Sequence, residues 1–70
     1  MNTKNGFTIT HRDHVLRAWQ NSTELIRDYQ AYAREIESED KALAKLFYEF
    51  ADHEAAHAAK LLELLRGYEK

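Results

Sequence analysis

The residues best equipped for chemistry lie in ADHEAAHAAKLLELL, residues 51–65. Glu54 and His57 stand there among Ala and Leu, in a stretch that reads as the apolar side of a helix. Residues three apart on a helix project from adjacent turns of one face, so the pair can present an oxygen and a nitrogen to one point. Such donors suit iron, manganese or zinc. One pair is too few for a tight site. A two-fold copy would add a second Glu54 and His57, giving four protein donors around two adjacent metals. The competing reading is a buried polar pair that hydrogen-bonds across a dimer and sets its register.

These side chains need a helix to carry them, and composition provides one. Between Gly6 and Gly67 there is neither glycine nor proline, and Ala, Leu, Glu, Lys and Arg abound. Residues 1–10 read as an extended lead-in, FTIT (7–10) alternating like a very short strand. Thr10 with Asp13 fits an N-cap, so a helical unit is expected over 11–70, starting near His11. Gly67 after Arg66 suits its C-terminus. Apolar residues recur at 4-3 spacing as Val15, Ala18, Leu25, Tyr29, Tyr32 and Ile36, with Ser22 in the remaining slot. The second half repeats this as Leu43, Phe47, Phe50, Leu61, Leu64 and Tyr68, and Glu54 and His57 fill its two gaps. Leu46, Ala51, Ala58, Leu62 and Leu65 broaden the stripe, as in a helix touching two neighbours. The phase persists through the middle, which would also allow one continuous helix. ESED (37–40) argues for a turn at 38–40, with Ser38 or Asp40 capping a second, antiparallel helix.

The chain has 70 residues and no cysteine, which removes disulfides, thiolate catalysis and cysteine-held clusters. A domain this small needs metal or self-association to reinforce its core. The formal net charge of −2, with both signs interspersed, lacks the basic stripe of a nucleic-acid binder. No run approaches the roughly 18 apolar residues of a membrane span, and the start has no apolar leader. A cytoplasmic protein is expected. No catalytic triad, phosphate loop or nucleotide fingerprint is present.

LRAWQNSTELIRDYQAYA followed by LAKLFYEFADHEAAHAAKLLELL resembles the first helix pair of the rubrerythrin branch of the ferritin-like superfamily. Leu16, Ala18, Tyr29, Ala33, Phe47, Glu49, Ala51, Glu54, His57 and Ala58 carry the likeness, which runs from near Val15 to Leu65. The half-bundle length is also similar to encapsulated ferritins. The resemblance implies an all-α, antiparallel two-helix hairpin that dimerises into a ferritin-like four-helix bundle, with iron as a di-iron centre between chains. It implies a ferroxidase- or peroxidase-type oxidoreductase or an iron-handling protein; without cysteine, its reductant must be external. A larger ring or cage ranks below the dimer.

Family members have a Glu seven residues before the tyrosine matching Tyr29; here that position is Ser22. Glu24 is at the right height, since residues whose numbers add to about 78 face each other across a turn near 39. At about 100° per residue, however, it lies roughly 200° round from Ser22. Glu24 therefore joins the ligand set only if the helix is over-wound or a partner packs on that face. The resemblance sets Tyr29 beside the metal, bonding a ligand carboxylate, where ordinary core packing is the alternative. His53 and Glu49, one turn apart at the stripe's edge, either orient ligands or form a solvated flank. Trp19 is expected in the core or dimer interface. His11 and His14 read as surface residues or an accessory metal pair far from Glu54. Beside the metal-binding reading stands a second, a metal-free helical dimerisation module with a degenerate site, for which Ser22 is the best support.

Overall fold

A computed structural model describes Thr3–Lys4, Phe7–Thr8 and residues 10–68. Two helices, α1 (His11–Ile36) and α2 (Lys41–Tyr68), lie against each other as a hairpin. Ahead of them, two-residue strands β1 (Thr3–Lys4) and β2 (Phe7–Thr8) pair antiparallel, Thr3 with Thr8 and Lys4 with Phe7. The alternation at Phe7–Thr8 thus marks a short ladder as well as an extended lead-in.

Helix starts are set by side chains, as the sequence suggests. Thr10 caps α1 through a reciprocal box: the Asp13 backbone N–H donates to Thr10 Oγ1 at 3.2 Å, and the Thr10 N–H donates to Asp13 Oδ2 at 3.1 Å. The Thr10 backbone hydrogen bond first, then its side chain, holds the Asp13 carboxyl below its ordinary value of 3.8. Between the helices, the N–H groups of Glu39 and Asp40 both donate to the Ile36 carbonyl, at 2.9 and 2.8 Å. Asp40, rather than Ser38, caps α2, its Oδ1 accepting from the Leu43 N–H at 3.0 Å. The continuous-helix alternative is thereby set aside. Gly67 does not end α2; it lies within the last turn, with nothing near the place a Cβ would take.

The helices meet along small residues. Ser22 and Ala33 of α1 face Ala44, Ala51, Ala58 and Leu65 of α2, and these six are the buried positions among the described residues. The four on α2 recur every seven residues, which keeps one edge of the helix on its partner. Small side chains let the backbones approach closely. The 4-3 stripe expected to form the seam is instead its neighbour, one position away on α2. Leu43, Phe50, Leu64 and Tyr68 on that stripe are exposed, as are Leu46, Leu25 and Tyr32. No large side chain is fully buried among the described residues. The molecule's least dimension is 14 Å, little more than the about 10–12 Å of one helix with its side chains. It is a single layer with one apolar face uncovered.

Candidate metal centre

Glu54 and His57 lie in the middle of that uncovered face. Phe50 precedes them by one turn, and Leu61 and Leu64 follow. Their side chains sit together, His57 Nδ1 3.4 Å from Glu54 Oε2, with the Glu54 side chain 20 % exposed and that of His57 66 %. This is long for a hydrogen bond. Its attraction as an ion pair requires a protonated imidazole.

Across from them, α1 contributes Ala18, Asn21, Ser22 and Leu25, and the two sides enclose an open groove of about 510 Å³. Lys60 and Leu61 complete its rim. Lys60 also holds Glu63 at 3.2 Å in an exposed i,i+3 pair, worth little by itself. Ser22 is 8 % exposed, and its hydroxyl makes no hydrogen bond among the described residues, keeping some contact with solvent. Glu54, His57 and Ser22 are therefore brought to one place, as the sequence suggests. Asn21 and Lys60 join them although neither stands out in the pattern. The antiparallel level rule could have found both, since it sets Asn21 opposite His57 and Ala18 opposite Lys60.

Other sequence candidates lie elsewhere. Glu24 is exposed and lines a separate groove with Arg17, Gln20, Asn21, Thr23 and Arg27, as its helical phase requires. Glu49 and His53 are exposed, Glu49 in a groove with Lys41, Lys45 and Asp52. Tyr29 stacks on Phe47 at 6.1 Å between ring centroids and meets Phe50 edge-on at 5.6 Å. Tyr32 adds an edge contact to Phe47 at 5.7 Å. This aromatic group packs between the helices on the turn side of Glu54, and among the described residues no hydrogen bond joins Tyr29 to a carboxylate. Trp19 is half-buried. His11 and His14 are exposed; His14 lines a groove with Asp13, Leu16, Arg17 and Gln20.

The donors fit a transition metal in kind and spacing. Two atoms each about 2.1 Å from one cation are about 3.4 Å apart when they subtend an angle near the tetrahedral value. Number is the shortfall. Among the described residues no group of three His, Cys, Asp or Glu converges on one point, so a single chain offers two donors where a tetrahedral site takes four. A metal centre here needs donors from outside the chain.

No described helix is long and apolar enough to cross a membrane. No curated protein and no solved structure matches the chain. A family model does: the rubrerythrin model matches residues 16–70, which takes in both helices almost whole and the entire groove. With the two-helix architecture and the Glu54/His57 pair facing Ser22, that match makes this chain a member of the rubrerythrin family.

Proposed function

We propose that two copies of the hairpin pack their open faces together into a ferritin-like four-helix bundle and bind iron between them through Glu54 and His57 of each chain. One observation carries this reading. Among the described residues, the one pair of metal-type donors set side chain to side chain on an apolar surface, Glu54 and His57, lies at the centre of the uncovered face. That surface is large and hydrophobic, and a monomer leaves it in water at a cost. A two-fold axis near the pair buries the Leu and Phe residues and doubles the donors to four in one step. Pairs of this kind, projecting inward from facing helices, are how bundles hold di-iron centres.

Iron held there would supply electrons to dioxygen or peroxide, making the assembly a ferroxidase- or peroxidase-type oxidoreductase or an iron-handling protein. The chain's own part is narrower. Glu54 and His57 bind in their deprotonated forms, so loading releases protons wherever His57 is charged. Ala18, Leu25 and Leu61 keep the surroundings dry. The aromatic group around Tyr29 closes the turn side. With no cysteine in the chain, the reductant comes from outside, and a cytoplasmic setting suits that supply. Manganese or zinc would fit the same donors.

Ser22 favours a second reading, a dimer that binds no metal, because the groove has no second carboxylate on α1. Anaerobic thermal melts with Fe(II), run beside sedimentation and elemental analysis, separate the two. Free metal at 100 times its Kd adds about 2.7 kcal/mol, or about 10–20 °C for a domain of this size. Glu54→Ala and His57→Ala should each abolish that rise. A metal-free monomer, or a dimer whose melting ignores both Fe(II) and chelator, would overturn the proposal.

A further inference from the structure

The open face carries a charge pattern along one edge. Asn21 lines the groove beside Glu54 and His57 and also the neighbouring groove of Arg17 and Glu24, so it marks the outer edge of α1. Arg17 lies one turn before Asn21 and Asp28 two turns after it, each within about 40° of it around the helix axis. Both are exposed, and among the described residues neither has an ion-pair partner within the chain. The edge therefore holds an unpaired cation towards the open end of the hairpin and an unpaired anion towards its turn.

The apolar stripe of α2 has a symmetry of its own. Leu43, Phe47, Phe50 and Glu54 are followed by His57, Leu61, Leu64 and Tyr68, and the spacing reads alike from either end. Its centre, between Glu54 and His57, lies close to the middle of α2 (Lys41–Tyr68).

These patterns choose between two ways of laying open face on open face, on the reading that two copies do so with their Glu54/His57 pairs adjacent. A two-fold axis parallel to the helices sets α1 against α2 of the other copy. Arg17 then stands near the height of Lys60 across the interface, and like charges meet. An axis perpendicular to the helices instead sets each helix antiparallel on its own copy. Placed at the level of Glu54 and His57, which on α1 is that of Ser22 and Thr23, it brings Arg17 to the height of Asp28. The same axis lays Phe50 on Leu61, Phe47 on Leu64 and Leu43 on Tyr68, so apolar residues meet along the whole of α2.

We propose that the two copies pair about an axis perpendicular to their helices, with Arg17 of each against Asp28 of the other. The apolar stripe supplies the buried area. The two reciprocal ion pairs at its rim set the orientation, which is what charge complementarity does best.

The chain has no cysteine, so Ser38→Cys gives one nitroxide site per copy, at the turn. With Zn(II) as a diamagnetic metal, pulsed dipolar EPR should place the labels about 45 Å apart, from roughly 15 residues of helical rise on each side of the axis. The parallel arrangement would bring the two turns together, within about 25 Å for helix axes 8–10 Å apart. Arg17→Asp should weaken dimerisation about tenfold in sedimentation at low salt, and added salt should shrink the effect. Asp28→Arg should do the same, and the double swap should recover most of the loss. Labels closer than about 25 Å, or a swap no better than the single variants, overturn the inference. The proposed metal site then still stands, because either axis brings the four donors together. A wild type that stays monomeric with Zn(II) overturns both.

Discussion

The contact between α1 and α2 and the open face beside it are built on opposite plans. Along the contact run Ala33, Ala44, Ala51, Ala58 and Ser22, small buried side chains of the kind that let backbones approach closely. One position away run Leu43, Phe50, Leu64 and Tyr68, large side chains left 39 to 49 % exposed. The first surface is complete within one chain and gains little from burying apolar area. The second holds large hydrophobic side chains and leaves them uncovered. Burying a large apolar side chain contributes about 1.5–3 kcal/mol, so the larger reserve of stability lies where the single hairpin does not collect it. The chemical groups follow the same division. Glu54 and His57 belong to the unfinished surface, while the buried positions of the closed one are Ala, Ser and Leu.

Substitutions on the two surfaces should therefore fail in different ways. Phe50→Asp puts a carboxylate into the middle of the proposed dimer interface. Losing the ring costs about 3–5 kcal/mol if fully buried there, so self-association should weaken by roughly a thousandfold or more. Sedimentation velocity across a concentration series measures it, and an unchanged mass would remove the open face from the assembly. Ala51→Leu crowds the closed contact instead and should cost about 1–3 kcal/mol. Its effect on the urea midpoint should be the same at every protein concentration once dimer dissociation is accounted for. A purely concentration-dependent loss would mean that the two surfaces are not separate.

The smallest effect belongs to the Thr10–Asp13 box, on neither surface. Its hydrogen bonds lower the Asp13 carboxyl below 3.8, and a depressed carboxyl stabilises the fold above its unfolded value and loses that contribution as pH falls through the folded one. Asp13→Asn should thus be slightly less stable than the wild type near neutrality and indistinguishable from it well below pH 3.8. Paired acid titrations followed by circular dichroism would show the curves converging. A difference that persists in acid would assign the effect to something other than the carboxylate.

Much of this was legible in the residues alone. Helix limits follow from local chemistry, which needs no tertiary context: Thr10 and Asp13 start α1, and the ESED stretch with Asp40 ends one helix and caps the next. The pairing of Glu54 with His57 follows from helical geometry, and so does the placing of Glu24 on another face. The likeness carried by Tyr29, Phe47, Ala51 and the Glu-x-x-His pair identified the family that the match over residues 16–70 establishes.

Which apolar stripe closes the hairpin was a different kind of question. Two stripes one residue apart share the same 4-3 period, and reading by hydrophobicity favours the one with Leu and Phe. Close approach of two backbones favours the other, because alanine leaves room and leucine does not. Period and composition are properties of one helix, and they determined that there would be two helices and which broad side of each would be apolar. The choice between adjacent stripes depends on the distance between helix axes, so only the packed hairpin decided that alanine would be enclosed, and that Glu54, His57 and the groove at Ser22 would be left facing outward.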